Sequence, residues 1–326
     1  MPSAPSALIT GVSGQDGSYL AERLLADGVH VHALSLPDDV PVDGVHTHVG
    51  DVADVEGTRA LLLEVAPDEV YNLAAVSSVA RSWAQPELTA RVNGLAAVGL
   101  LESARQLQER AGRPVRFVQA SSAEIFGLPD RSPQDEDTPV RPVNPYGAAK
   151  AFAHLMVEVY RRQGLPAVSL VLYNHESPRR PEQFVTRKIT AGVAAISAGT
   201  ASKLTLGNLA AVRDWGWAPD FVDAMVRAAR ADVSRDYVVA TGESHSVEEF
   251  VAAAFGCVGI DDWSAYVEVD PALFRPVDAQ ALTGDPTRIR TDLGWAPTVG
   301  FEEVVRRMVE ADAARLSPPE PPTGRA

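Results

Sequence analysis

The sequence predicts an α/β protein in which a doubly wound parallel sheet is followed by a smaller lobe. Short apolar runs alternate with stretches of helical periodicity over the first half of the chain, and such alternation specifies a parallel sheet covered by helices. After residue 175 the alternation becomes less regular. We therefore predict a dinucleotide-binding domain at 1–175 and a substrate-binding lobe at 176–315, with segments that return to the first domain. The proline-rich tail, 316–326, is expected to be disordered.

The first predicted strand, "ALIT", leads through a glycine turn into the helix-like "QDGSYLAERLL". Glycines let the backbone turn tightly and approach a ligand, and the N–H groups of the new helix can hold a pyrophosphate. This pattern predicts a Rossmann-type cofactor site, where ligands bind beyond the carboxyl ends of the strands. The candidate cofactor contacts in the turn and after later strands are Gly11, Gly14, Gln15, Asp16, Gly17, Asp51, Val52, Leu73, Ala74 and Ala75.

The next elements follow the same alternation. Strand-like runs recur at "HVHAL", "EVYNLAA", "VRFVQASS" and "AVSLVLYN", with helix-like "VEGTRALLLEV" and "LAAVGLLESARQL" between them. In the second lobe, "DYVVATG" has the pattern of a strand. Ser246, with Glu249 three residues later, predicts a capping box at the start of the helix-like "VEEFVAAAFG".

The segment "NPYGAAK" places Tyr146 and Lys150 on one face of a predicted helix. A nearby ammonium favours the phenolate, so Tyr146 could remove a hydroxyl proton while a hydride leaves the same carbon, and both residues would also contact the cofactor. For an isolated pair at this spacing, a packed tyrosine and a solvated lysine are the better interpretation. This pair follows a glycine turn and a serine-rich strand end, and that position favours the catalytic interpretation.

That strand end, "QASSAEIFG", provides Ser122 and Glu124. Each residue alone is more often a cap or a solvated charge. Beside the tyrosine and lysine, Ser122 could hydrogen-bond the reacting hydroxyl, and Glu124 could act as a second acid/base group. A simple alcohol dehydrogenase does not need that second group.

Seven segments in order resemble the GDP-mannose 4,6-dehydratases, a family of extended short-chain dehydrogenases/reductases: "TGVSGQDGSYLAE", "YNLAAVSSVARSW", "QASSAEIFG", "PVNPYGAAK", "YNHESPRRPEQFVTRKI", "LGNLAAVRDWG" and "ATGESHSVEEFV". The resemblance implies tightly bound NAD(P), the catalytic set Ser122, Glu124, Tyr146 and Lys150, and conversion of GDP-mannose to GDP-4-keto-6-deoxymannose. The same matches imply sugar-nucleotide contacts at Asn174, Lys188, Asn208, Arg213 and Arg275, and the predicted substrate site also includes Ser77, Glu176, Leu206 and Gly207.

The chain departs from this family after the second strand. The family typically has an arginine pair there that holds the 2′-phosphate of NADP and contributes to tetramer contacts, whereas this chain reads "HALSLPDDVPVDG". Ser35 also stands where NAD-binding relatives usually carry a carboxylate. NAD and NADP therefore both remain open. We predict a homodimer whose close helix contacts involve small residues, Ala96, Ala97, Ala149, Ala151 and Ala153.

Other outcomes of the same fold also remain open. The first is a dehydratase that acts on another nucleotide sugar or gives a 5,6-alkene. The second alternative is a C4 epimerase or a 4-keto reductase, and the third is a non-catalytic dinucleotide-binding protein. Neither an epimerase nor a reductase needs a carboxylate that acts at C5, so Glu124 favours a dehydratase.

Composition limits the partners. A net charge of −14 over 326 residues disfavours nucleic-acid and anionic-membrane surfaces. Cys257 is the single cysteine and cannot form an internal disulfide, and no apolar run approaches the roughly 20 residues of a membrane span. We expect a cytoplasmic protein. No metal site is predicted, because His175 lacks partners at ligand spacing.

Overall fold

The computed structural model describes residues 4–274, 277 and 281–316. The strands are β1 (Ser6–Thr10), β2 (His30–Ser35), β3 (His46–Val49), β4 (Glu69–Asn72), β5 (Arg116–Ala120), β6 (Ala167–Leu172), β7 (Asn174–Glu176), β8 (Leu204–Leu206), β9 (Val212–Arg213), β10 (Trp215–Trp217), β11 (Tyr237–Val239), β12 (His245–Ser246), β13 (Val267–Val269) and β14 (Ala281–Leu282). The α-helices are α1 (Gln15–Ala26), α2 (Val55–Val65), α3 (Val79–Ala84), α4 (Pro86–Thr89), α5 (Ala96–Ala111), α6 (Pro145–Arg162), α7 (Val185–Ser197), α8 (Ala218–Ala229), α9 (Val247–Gly256), α10 (Thr287–Leu293) and α11 (Phe301–Leu316). A π-helical segment, Ala90–Leu95, leads directly into α5.

The central sheet confirms the predicted α/β fold. Within the described residues its strand order is β11-β6-β5-β4-β1-β2-β3, and every neighbouring pair is parallel. From β1 the chain first builds outward through β2 and β3, and then crosses to β4 on the other side. This reversal opens a crevice beyond the carboxyl ends of β1 and β4, where ligands bind in such sheets.

Helices cover both faces of the sheet. On one face α1 and α8 pack against it through buried residues such as Leu20 and Phe221. On the other face α2, α5 and α6 do so through residues that include Leu62, Leu100 and Val157. The sheet is therefore buried on both sides, which explains why its strands read as short, nearly continuous apolar runs.

The second lobe has its own apolar core, formed mainly by α7, α9 and α11 with β8 and β10. The capping box predicted at Ser246 and Glu249 begins α9. Two later elements return to the first layer, since β11 pairs with β6 and α8 packs on the sheet. Of the predicted tail, Leu316 ends α11, and residues 317–326 lie outside the described residues.

None of the helices in the described part of the chain is long and apolar enough to cross a membrane.

Candidate active site

The glycine turn brings the ends of β1 and β4 and the start of α1 into very close contact. Gly11 has φ +74°, and a Cβ added there would lie 2.8 Å from the backbone nitrogen of Ala74. A Cβ on Gly17 would clash with the carbonyl oxygen of Gly11. The hydroxyl of Thr10 accepts hydrogen bonds from the N–H groups of Leu73 and Ala74, both at 3.1 Å. The backbone around the turn therefore excludes side chains, as a cradle for a pyrophosphate requires.

Gln15 and Asp16 hold this turn against β7. The Gln15 amide donates to the carbonyl of His175 at 3.0 Å and accepts from the hydroxyl of Ser177 at 2.8 Å. A carboxylate oxygen of Asp16 lies 2.8 Å from Nε2 of His175. Burial lowers the pKa of His175, but the charge and hydrogen bond of Asp16 raise it more, and the net shift is upward. Both side chains predicted to contact the cofactor are thus engaged within the protein, and His175 is paired with a carboxylate.

The segments that follow β2 and β3 contribute little positive charge to the crevice. Ser35 is buried, and its carbonyl accepts from the N–H of Gly50. Asp51 is exposed and accepts from the N–H of Ala53, whereas Val52 is buried. The loop 36–45 contains Asp38, Asp39 and Asp43 and no lysine or arginine. Leu73, Ala74 and Ala75 are half-buried where the chain leaves β4.

Tyr146 and Lys150 lie in the first turns of α6, as the sequence predicted. Asn144 caps this helix, because its side-chain oxygen accepts from the N–H of Gly147 at 2.7 Å. Lys150 is buried, and its Nζ donates to the carbonyl of Ala120 at the end of β5 at 2.8 Å. The same Nζ lies 5.9 Å from the centre of the Tyr146 ring. The helix therefore presents the phenol and the ammonium at the carboxyl edge of the sheet.

Burial dominates the electrostatics of this pair in the protein without cofactor. Desolvation raises the pKa of Tyr146 to about 12, and a contact with Ser122 only partly offsets that rise. Burial lowers the pKa of Lys150 to about 8. That Lys150 brings the phenol into working range stays a prediction for the protein with its cofactor bound.

Glu124 stands beside the phenol, in the short turn after β5. Its carboxylate accepts from the side-chain amide of Asn144 at 2.8 Å, and its negative charge raises the pKa of Tyr146. A Cβ on Gly147 would lie 2.5 Å from the Glu124 carbonyl oxygen, so this glycine lets α6 approach the turn. Asn144 was not predicted as a site residue; its place directly before Pro145 at a helix start was the available signal. The arrangement provides two separate proton-transfer groups.

The predicted substrate contacts divide into available and engaged side chains. Asn174 and Lys188 are half-buried, and among the described residues neither side chain has a hydrogen-bond or ion-pair partner. Asn208 is exposed and accepts from the N–H of Ala210 at 3.0 Å, while buried Arg213 donates to the carbonyl of Val212 at 2.8 Å. The remaining positions are exposed Ser77, buried Leu206 and half-buried Gly207, and Arg275 lies outside the described residues.

Glu176 requires a correction, because it is not open to a substrate. The residue is 1% exposed, and its carboxylate accepts from the hydroxyl of Thr186 at 2.6 Å and lies 3.3 Å from Nε of Arg180. Glu176 therefore holds Arg180, whose positive charge lowers the pKa of both Tyr146 and Asp16. From the sequence, Arg180 in "SPRR" was one of the basic residues expected to offer charge to a nucleoside diphosphate, and its place near Tyr146 and Asp16 was not predicted.

Comparisons with known proteins agree with this geometry. The sequence profile of the family described as GDP-mannose 4,6 dehydratase matches residues 8–308. The chain is 45% identical over 323 residues to GDP-mannose 4,6 dehydratase 1 of Arabidopsis thaliana, covering 94% of this chain and 89% of the relative. It is 40% identical over 339 residues to the Homo sapiens GDP-mannose 4,6 dehydratase, and the match covers 94% of this chain and 91% of the relative.

Among solved structures, UDP-glucose 4-epimerase of Thermus thermophilus in complex with NAD superposes with a TM-score of 0.82. The two sequences are 31% identical, and the match covers 94% of this chain and 98% of the epimerase. The fold is thus one that holds a nicotinamide dinucleotide in that relative.

Proposed function

The chain belongs to the GDP-mannose 4,6-dehydratase family, and we propose that it converts GDP-mannose to GDP-4-keto-6-deoxymannose with loss of water. It is an NAD(P)-dependent nucleotide-sugar dehydratase of Rossmann fold. The observation that carries the proposal is the position of Glu124. A carboxylate beside Tyr146 and Lys150 adds a second proton-transfer group, and elimination of water needs one.

Tyr146 is the group that takes the proton from O4 of the sugar. NAD(P), when bound, would supply an acceptor for the C4 hydride and its donor for C6, and its oxidised ring would add a positive charge that favours the phenolate of Tyr146. Ser122, which contacts the Tyr146 hydroxyl, also hydrogen-bonds O4 and aligns it for this transfer. Lys150 stays buried on the Ala120 carbonyl and adds positive charge below the phenol.

Glu124 then acts at the neighbouring carbons. The ketone at C4 makes the C5 hydrogen acidic, so the carboxylate removes it as a proton and donates a proton to the C6 hydroxyl. The C5–H and C6–O bonds break, a C5=C6 double bond forms, and water leaves. C5 finally takes a proton from solvent, and C6 ends as a methyl group. The amide of Asn144 keeps one oxygen of Glu124 in place through these steps.

Lys188 and Asn174 offer the nucleotide two available side chains. Lys188 is half-buried and has no ion-pair partner in the described residues, so its ammonium is free to meet a phosphate. Asn174, at the end of the same crevice, offers an amide to the sugar. Asn208 and buried Arg213 lie farther along the second lobe, where the nucleoside would extend.

The cofactor is not selected through a 2′-phosphate clamp. The loop 36–45 has three carboxylates and no cation, and like charge disfavours an added phosphate. We therefore propose that the protein holds NAD at least as well as NADP, with the adenosine end near Asp51 and the loop after Leu34.

A homodimer in the cytoplasm is the assembly and location we propose. The five alanines predicted to allow close contact between subunits are 0–7% exposed within one chain, so they do not lie at the surface. The exposed apolar residues of this face are larger: Leu95, Phe152, Leu155 and Val159. On α6 the last three are spaced as one helical stripe. The single cysteine agrees with a reducing compartment.

The experiment that tests this function compares two variants on GDP-mannose and on a panel of other nucleotide sugars. Tyr146→Phe should lose C4 oxidation, at a cost on the order of a hundredfold or more. Glu124→Gln should still reduce bound cofactor, seen as nicotinamide absorbance, yet exchange the C5 hydrogen very slowly and release little product. If Glu124→Gln dehydrates at the wild-type rate, or only another nucleotide sugar reacts, the proposal is wrong.

A further inference from the structure

Three histidines form a cluster at the outer edge of the central sheet, away from the active site. His32 lies in β2, and His46 and His48 lie in β3. The register pairs His32 with His46, and residues two apart on a strand share a face, so all three rings lie on the same side. Nδ1 of His32 is 3.0 Å from Nε2 of His48, and one ring nitrogen from each histidine lies within 4.8 Å of the others.

We propose that His32, His46 and His48 bind a divalent transition-metal ion, with Zn²⁺ as the occupant. Tetrahedral zinc with Zn–N bonds of about 2.05 Å places its nitrogen ligands ~3.3 Å apart. The nitrogen–nitrogen separations in the cluster run from 3.0 Å to at most 4.8 Å, on both sides of that value. Small side-chain rotations would therefore complete the site. Three imidazoles on adjacent strands suit zinc, copper or nickel better than calcium or magnesium, which prefer oxygen ligands.

The surroundings of the cluster agree with a cation. The three histidines share the sheet face covered by α2, because Leu8 and Leu34, their neighbours in register, pack there with Leu62. The carboxylate of Glu64 on α2 acts electrostatically on His48, so a negative charge lies near the cluster.

Without a metal ion, the three histidine rings interact poorly with one another. The ring centres are 4.9 to 5.3 Å apart, and a hydrogen bond between the rings of His32 and His48 satisfies only part of their hydrogen-bonding capacity.

The site would join β2 to the edge strand β3. Ser35 lies three residues after His32, about 10 Å along the strand, so the ion is outside the catalytic residues but at the base of the loop 36–45. Its expected effect is therefore on stability and on the order of this edge, while turnover of GDP-mannose stays unchanged.

The test uses the full-length chain without an affinity tag, treated with a chelator and dialysed. Calorimetric titration with ZnCl₂ should give saturable binding of one ion per chain. Thermal unfolding at Zn²⁺ a hundredfold above the dissociation constant should shift upward on the order of 5 °C. Co²⁺ in place of zinc should give the visible absorption of a tetrahedral site.

The matched variants are His46→Gln and His48→Gln, which remove one ligand each, and His30→Gln, which removes a histidine of β2 outside the cluster. The first two should weaken zinc binding at least about tenfold and abolish the thermal shift, whereas His30→Gln should retain both. His46 is exposed, so its variant should fold. Absence of saturable binding, or equal binding by wild type and His46→Gln, would overturn the proposal.

Discussion

Replacing Lys150 with methionine should stabilise the cofactor-free protein while abolishing its activity. The lysine is 3% exposed, and its Nζ donates a hydrogen bond to the carbonyl of Ala120. A buried ammonium that is compensated mainly by one neutral acceptor destabilises the fold. Methionine has a similar length and no charge, so it can fill the same space.

The magnitude follows from the pKa of the buried amine. Burial lowers it from 10.5 to about 8, which corresponds to about 3 kcal/mol against the charged form at neutral pH. Removing the hydrogen bond to Ala120 costs about 1 kcal/mol. We therefore expect Lys150→Met to raise the free energy of unfolding by about 2 kcal/mol at pH 7.

The pH dependence has a defined sign. Between pH 8 and 10.5 the unfolded chain keeps the lysine proton that the folded chain has lost, so wild-type stability gains from this group as pH rises through that window. The variant lacks that gain. The difference in stability between variant and wild type should therefore be largest below pH 8 and shrink toward pH 10.5.

Urea unfolding of both proteins at pH 7 and at pH 10 measures this difference. Lys203→Met is the control, because Lys203 is exposed and paired with Glu268; its stability should change by less than about 0.5 kcal/mol at either pH. The reasoning is refuted if Lys150→Met is less stable than wild type at pH 7, or if its advantage grows with pH.

Three further outcomes are expected. Asn144→Ser keeps a helix cap but loses the amide that holds Glu124, so kcat should fall on the order of tenfold with bound cofactor still reduced; an unchanged kcat would remove Asn144 from the account. The cofactor recovered from denatured protein should include at least as much NAD as NADP. Exclusive recovery of NADP would show that another group binds the phosphate. Sedimentation should give a dimer that Phe152→Glu dissociates, because Phe152 is exposed on α6; a stable tetramer would contradict the predicted assembly.

The sequence predicted the features that depend on local pattern. The glycine turn, the parallel sheet implied by alternation, and the shared helix of Tyr146 and Lys150 follow from periodicity and short motifs. Contacts between distant segments were not predictable in this way. Asn144 lies 20 residues from Glu124, and His175, which pairs with Asp16, lies 159 residues from it.

Burial also explains where the structure departs from the predictions. Side-chain size suggested that the alanines of α5 and α6 meet a partner, but the helices turn them toward the interior of the same chain. Glu176 was expected to contact the substrate, but it is buried within the protein. Helical spacing predicts which residues share one face of a helix. It does not predict whether that face is turned toward the interior of the chain or toward a partner.

The most direct test of the central claim is the structure of the product made in deuterated water. We expect the purified protein to convert GDP-mannose to a 4-keto sugar with a methyl group at C6 and one deuterium at C5, identified by NMR and by loss of one water in the mass spectrum. The cofactor should end in its starting oxidation state. A product with vinyl signals from a 5,6-alkene, or a C4 epimer with no water lost, would contradict the account.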